Sequence, residues 1–148
     1  MKQSLSALSV LTIILGVAPG CRSSEPVAPS ASEPFPVSVQ TRIAAQSESI
    51  PTIHASAGTG SVTIRVTRGA MCATLVSAAV NRGVGEIDVV SQVSANPAAN
   101  CAAIPIREVV DYSGTLNALS PGTYRIRVFE GEGDGSPKFI GSASVRVL

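Results

Sequence analysis

The stretch Leu119-Ser120-Pro121-Gly122-Thr123-Tyr124-Arg125-Ile126-Arg127-Val128 indicates the fold class more clearly than any other part of the sequence. Its Ser-Pro-Gly step is a turn signal, because proline fixes φ and glycine tolerates positive φ. After the turn, Tyr124, Ile126 and Val128 alternate with two arginines. A period of two predicts a β-strand with one buried face and one solvated face.

The same alternation recurs along the chain on the N-terminal and C-terminal sides of this strand. Apolar and polar residues alternate over 62–66, 87–89 and 145–147, and Gly-, Asn- and Pro-containing turn signals separate these runs. The alanine-rich segment from Ala70 to Val80 is ambiguous, but its β-branched residues favour a strand. About seven strands at this spacing predict an all-β domain, built as a sandwich or a barrel.

The turn and its tyrosine resemble the tyrosine corner of immunoglobulin-like and fibronectin-type β-sandwiches, and the matching residues are Leu119, Pro121, Gly122 and Tyr124. In that motif the tyrosine ring packs in the core and its hydroxyl bonds to upstream backbone. The resemblance implies a single antiparallel, Ig-like β-sandwich over residues 42–148, with Lys138 to Leu148 as the last strand of a hairpin. Carboxypeptidase regulatory-like domains carry a similar Pro-Gly-x-Tyr string, so the subfamily stays open.

Composition excludes several classes of protein. The 148 residues are 45% hydrophobic, 14% charged and 3% aromatic, which is too apolar for a wholly disordered chain. Lys and Arg total 11 and Asp and Glu total 10, so the formal net charge is +1. A general nucleic-acid binder carries a clear basic excess, and this sequence has none.

Residues 1–20 have the anatomy of an export signal. Met1-Lys2 gives a positive start, and the apolar run from Leu5 to Val17 is shorter than the roughly 20 residues of a membrane-spanning helix. Ala18-Pro19-Gly20-Cys21 resembles the lipobox of bacterial lipoproteins. The resemblance implies diacylglyceryl transfer to the Cys21 sulfur, cleavage just before it, and acylation of the new N-terminus. An ordinary secretory signal and an uncleaved anchor are the alternatives.

The lipoprotein resemblance implies a location in the cell envelope, with Cys21 holding the exported chain on a membrane. In a Gram-negative envelope, the absence of aspartate after Cys21 fits the outer membrane or the cell surface. Residues 21–41 are then a lipid-anchored Pro/Ser-rich linker, because their four prolines favour an extended chain.

The cysteine count predicts a disulfide. With Cys21 lipidated, Cys72 and Cys101 are left as an even pair in an oxidising compartment. Closing a loop of about 30 residues contributes roughly 3.5 kcal/mol by chain-entropy arithmetic. A redox or metal pair is disfavoured, since the sequence has no Cys-x-x-Cys and no histidine near these cysteines.

Three groups of residues are candidates for a chemical role. His54, the one histidine, has no nucleophile or orienting partner nearby in sequence, so we predict a surface residue, no catalytic residue and no cofactor. The second group is a weak candidate for a calcium-binding loop, made of three acidic residues that alternate with glycines: Glu130, Glu132 and Asp134. The twelfth position of this loop lacks the closing carboxylate of an EF-hand. The third group is a possible anion-contact face on the last hairpin, made of Arg125, Arg127 and Arg146.

Taken together, these features predict a non-enzymatic envelope lipoprotein that serves as a protein-binding or structural β-sandwich module. Its expected partners are the membrane, through Cys21, and an envelope protein that the sequence does not specify. The alternative is a small-ligand or calcium-binding module that uses the loop from Glu130 to Asp134. Oligomeric state is not predicted.

Overall fold

The structure is a computed structural model that describes residues 26, 28–29, 33–70, 74–95 and 108–148. These residues form an all-β fold, as the alternation predicts. The nine strands are β1 (Glu33–Pro34), β2 (Ser38–Ile43), β3 (Thr52–Gly58), β4 (Ser61–Gly69), β5 (Thr74–Arg82), β6 (Glu86–Ala95), β7 (Glu108–Leu116), β8 (Gly122–Glu132) and β9 (Lys138–Val147). Within the same ranges, no helix is long and apolar enough to cross a bilayer.

The strands form two sheets. One has the order β1-β5-β6-β8-β9 and the other the order β2-β7-β4-β3. All neighbouring strands pair antiparallel except β6 and β8, which pair parallel with Asp88 opposite Arg127. The expectation of a purely antiparallel arrangement is therefore wrong at this pair. The reason is that β7 lies in the other sheet, so the chain leaves after β6 and returns as β8 in the same direction.

The two sheets share one hydrophobic core. Val62, Ile64 and Val66 of β4 face inward and are almost fully buried, while the residues between them are solvated. Ile126 and Val128 of β8 meet them from the other sheet. The alternation in the sequence thus becomes the inner and outer faces of the strands, and the burial of these apolar side chains is the main stabilising contribution.

Strands begin earlier than the expected linker boundary after residue 41. β1 and β2 account for the difference between the nine strands and the expected seven or so. Phe35 lies between them with only 3% of its surface exposed, and its amide donates to the carbonyl of Ala78 at 2.9 Å. Gly114 makes room for the ring, since a Cβ there would lie 2.5 Å from Phe35 Cζ. Prolines on both sides of Phe35 are tolerated because edge strands can lack a ladder donor.

Two hydrogen bonds order the turn before β8. The Tyr124 hydroxyl donates to the carbonyl oxygen of Ser120 at 3.0 Å. Leu119 is buried, and its amide donates to the Gly60 carbonyl of the β3–β4 turn at 3.0 Å. β8 and β9 form the antiparallel hairpin predicted for the end of the chain, with a bulge between Val128 and Phe129. The turn therefore connects β7 of one sheet with β8 of the other and is bonded to the β3–β4 turn.

Candidate functional site

The sheet edges on one side of the fold protect each other. β3 is the last strand of the four-stranded sheet and β9 is the last strand of the five-stranded sheet, and the two lie in contact. At their contact, a Cβ on Gly141 would lie 2.9 Å from the Cδ1 atom of Ile53, and Gly141 has φ +154°. The positive φ favours glycine there, and any larger residue would also displace the end of the Ile53 side chain.

The edge on the opposite side is different. β2 pairs with β7 along its whole length, and all six of its residues are exposed. Val39 is 38% exposed and Ile43 is 71% exposed, although both belong to the inward-facing set of the strand. We call Ser38–Ile43 the β2 edge. Its second side has no strand partner among the described residues, so alternate backbone groups there are free to bind another strand.

A cluster of polar side chains links the two sheets near the end of β8. Arg68 of β4 donates to Glu130 Oε1 at 2.7 Å and to Glu132 Oε1 at 2.8 Å. The Tyr112 hydroxyl of β7 donates to Glu130 Oε2 at 3.0 Å and lies 2.9 Å from the hydroxyl of Ser91 on β6. We call these five residues the polar cluster. It contains residues of β4 and β7 from one sheet and of β6 and β8 from the other, so it connects the sheets by directional bonds as well as by packing.

Burial controls the electrostatics of the polar cluster. The side chains of Arg68 and Glu130 are each only 10% exposed. Burial raises the pKa of Glu130 above its ordinary value, while the positive charge of Arg68 and the Tyr112 hydrogen bond act in the opposite direction. Burial, together with the nearby charge of Glu130, also raises the pKa of Tyr112. The phenol therefore stays protonated and acts as a hydrogen-bond donor to the carboxylate.

Two of the three carboxylates of the acidic loop belong to the polar cluster. Glu130 and Glu132 both bind Arg68, which supplies the positive charge that a calcium ion would otherwise bring. Asp134 lies in the exposed turn that follows β8. No group of three or more His, Cys, Asp or Glu side chains in the described ranges is arranged to hold a metal ion. Glu130 and Glu132 therefore form ion pairs with Arg68 within the protein.

A cavity of about 460 Å³ opens beside the acidic loop. Its lining residues are Glu130, Glu132, Gly135, Ser136, Lys138 and Ile140. Lys138 is the Cα partner of Glu130 across the hairpin, so both signs of charge border this space. Such a lining favours neither an anionic nor a cationic ligand.

The structure brings the predicted arginine face together and also neutralises part of it. Arg125 and Arg127 lie on one face of β8, and Arg146 lies on the adjacent strand opposite Thr123. Arg127 donates to both Asp88 carboxylate oxygens at 2.6 and 2.7 Å, and Glu86 lies 3.4 Å away. Its guanidinium also lies 5.9 Å from the centroid of the Phe129 ring. The remaining two arginines have no ion pair to a described residue.

His54 is exposed on β3, opposite Arg65, as a surface residue would be. With Ser56, Thr63 and Arg65 it lines a shallow cavity of about 240 Å³ on the outer face of the four-stranded sheet. Within the described part of the chain, it makes no hydrogen bond to a carboxylate that would orient it as a general base. The predicted lipidation site Cys21 and the predicted disulfide between Cys72 and Cys101 lie outside the described residues.

Three residues of the polar cluster, Arg68, Tyr112 and Ser91, were not singled out from the sequence, and Glu130 and Glu132 were considered only as calcium ligands, although a signal for the cluster was present. Extending the period of two places Arg68 after Val66, and Glu130 after Val128, on the inward faces of their strands. Ser91 follows the inward residue Val89 in the same way. Polar residues at inward positions need partners, so they predict a buried hydrogen-bonded group.

The carboxylates that balance Arg127 were also missed. Glu86 and Asp88 lie on β6, and only the parallel pairing with β8 brings them beside the arginine. No local sequence pattern indicates that pairing, because it depends on where β7 leaves the sheet.

Comparison of the chain with protein-family models, with curated proteins and with solved structures gave no match in any of the three.

Proposed function

We propose that this chain is a non-enzymatic, lipid-anchored protein of a bacterial cell envelope whose Ig-like β-sandwich binds another protein by strand addition at the β2 edge. The observation that carries the proposal is the exposure of all six residues of an edge strand that has a strand neighbour on one side only among the described residues. In strand addition, main-chain hydrogen bonds provide affinity and alternate side chains provide specificity.

The apolar residues of the β2 edge support this choice. Soluble proteins usually protect their edge strands with charge, proline or a short length, because a free edge invites pairing. Here Val39 and Ile43 stand on the same side of the strand and are exposed, with only Arg42 as a charged neighbour within β2. Arg42 is itself held by Asp111 at 2.8 Å and by Glu48. The edge is thus left apolar enough to receive another strand.

The bond from Tyr124 to Ser120 and the burial of Leu119 support the Ig-like part of the proposal. Two sheets around one core are also what a sandwich requires. The parallel β6–β8 pair is a departure from purely antiparallel Ig-like sheets.

The lipid anchor is proposed on the sequence from Ala18 to Cys21. Lipid chains on Cys21 would hold the domain at a membrane, since two or more acyl chains give stable anchoring. We expect Cys21→Ser to release the protein from the membrane fraction, measured by fractionation and intact mass. Membrane association that persists in this variant would contradict the anchor.

The binding function is tested by photo-crosslinking in the bacterium that makes the protein. A photoreactive amino acid at position 43 probes the β2 edge, and one at position 84 is the control, since Val84 is fully exposed in the β5–β6 turn. We expect a defined protein adduct from position 43 that disappears when Val39→Lys is added, because a charge on an edge strand opposes pairing. Equal adducts from both positions, or none from position 43, would overturn the proposal.

A further inference from the structure

We infer that the β2 edge pairs with the β2 edge of a second copy of this chain, antiparallel, around a twofold axis through Thr41. The inference rests on the proposed function, in that it names the partner for the same edge. The pairing would join the four-stranded sheets of both copies into one continuous sheet.

The alternation of side chains limits how the strand can meet itself. Ser38, Gln40 and Arg42 face the outside of the sheet, and Val39, Thr41 and Ile43 face the inside, as their registers with β7 require. In a continuous sheet, directly opposite residues point to the same face. A strand that pairs antiparallel with itself must then have its twofold axis at a residue and not between two residues.

Among the axes that remain, the one at Thr41 matches the exposed apolar residues. It places Val39 opposite Ile43 of the second copy, and Ile43 opposite Val39 of the second copy. Both members of each pair are exposed in the single chain, and both become covered. An axis at Gln40 would instead place Val39 opposite Thr41 and Ser38 opposite Arg42, so neither apolar residue would gain an apolar partner within β2.

The charges of the β2 edge are compatible with this register. On the outer face, Arg42 stands opposite Gln40 of the second copy, so no two like charges oppose each other. The charge of Arg42 is already balanced within its own chain by Asp111 and Glu48. Pairing therefore leaves no charge without a partner.

Two other strands at sheet edges, β3 and β9, do not offer the same surface. β3 and β9 cover each other, with Ile53 against Gly141. β1 is two residues long. A six-residue edge gives a small interface, so the affinity in solution is expected to be modest. Confinement on a membrane raises the effective concentration of the two copies and favours the pairing.

The test is disulfide crosslinking of the anchored chain in native membranes. Cysteines that replace Thr41 would lie directly opposite each other, with Cβ atoms about 4.5–5.5 Å apart, which is close enough for a disulfide after a small adjustment. Two Gln40→Cys side chains would be offset diagonally by about 7–8 Å and would crosslink poorly. We expect roughly tenfold more dimer from Thr41→Cys than from Gln40→Cys, on the strict distance limits of a disulfide. The parent chain with its own cysteines is run in parallel.

Second-site variants show whether the dimer depends on the apolar pairs. Val39→Lys and Ile43→Lys, each combined with Thr41→Cys, are expected to abolish the dimer, and Val84→Lys is expected to leave it unchanged. A melting curve for each variant confirms that it is folded.

The outcomes separate this inference from the proposed function. Equal dimer from Thr41→Cys and Gln40→Cys, or dimer that survives both lysine variants, would overturn the second-copy inference. A β2-dependent adduct from position 43 whose mass excludes two copies would overturn it too, while the proposed binding function would stand. Absence of any adduct from the β2 edge would overturn both.

Discussion

Arg68 and Arg127 each bind two carboxylates, but one arginine lies between the sheets and the other lies on an outer face. Arg68 holds Glu130 and Glu132 within the polar cluster, and its side chain is 10% exposed. Arg127 holds Asp88 and Glu86 on the five-stranded sheet and is 25% exposed. The outer arginine keeps much of its hydration, whereas the inner one has exchanged water for a few fixed partners. The two arginines therefore differ in hydration, while their main carboxylate partners, Glu130 and Asp88, are about equally buried.

The largest expected effect comes from removing the inner arginine. Arg68→Met leaves Glu130 buried without its positive partner, so we expect a loss of about 3–5 kcal/mol in the free energy of unfolding. Urea denaturation measures this loss. The control is Arg65→Met on the same strand, which is exposed and has no ion pair to a described residue, and it should stay within about 0.5 kcal/mol of the parent. Similar losses in the two variants would show that the ion pairs of the polar cluster contribute no more to stability than an exposed arginine does.

Hydroxyl deletions compare a buried donor with an exposed one. Tyr112→Phe removes the donor to Glu130 from the core, and we expect a loss of about 1–3 kcal/mol because the carboxylate oxygen is left without that bond. Tyr124→Phe removes the exposed bond to Ser120 and should cost about 0.5–1 kcal/mol. Thermal melts of both variants test the order. A larger loss for Tyr124→Phe would reverse our account of which tyrosine matters.

On the outer face, Arg127→Ala is expected to lose about 1–3 kcal/mol, because Asp88, whose side chain is only 9% exposed, loses both of its hydrogen bonds to the guanidinium. Arg125→Ala is the matched control, because Arg125 lies on the same strand face and has no ion pair to a described residue. Chemical denaturation at low and high salt is the measurement. A loss as large as that of Arg68→Met would remove the distinction between the inner and outer pairs.

The smallest effect is a change in pH dependence. Burial raises the folded-state pKa of Glu130 above the ordinary 4.5, so the folded state holds its proton more tightly than the unfolded state does. The resulting contribution to stability is present at low pH and is lost as the pH rises from about 4.5 through the raised pKa. Relative to Glu130→Gln, the parent should therefore lose stability over this window. Unfolding curves at several pH values test the sign, with Glu132→Gln as a control for loss of one carboxylate from β8. A parent that gains stability over the window relative to Glu130→Gln would show that the pKa shift has the opposite sign.

The sequence could predict those strands that have one apolar, buried face and one polar, solvated face. Alternating residues located β4, β8 and β9, and the Ser-Pro-Gly turn located the start of β8. β1 was missed because prolines suggested a linker, while the burial of Phe35 could only be seen against Gly114 and the core. The polar cluster was missed because its members are far apart in the chain, and its ion pairs depend on two sheets meeting. The β2 edge could not be seen either, because an edge is defined by strand order and not by local composition.

The early start of the folded region, marked by the burial of Phe35, limits the distance between the domain and the proposed lipid on Cys21. With the sheets beginning at Glu33, only the twelve residues from Cys21 to Ser32 separate the proposed lipid from the first strand. A fully extended chain of that length reaches about 40 Å, little more than the thickness of a bilayer's hydrocarbon core. If Cys21 carries lipid as proposed, a domain on so short a tether samples a shallow layer next to the lipid headgroups. Any partner that binds it must enter that layer, and two copies in the same leaflet share it from the start.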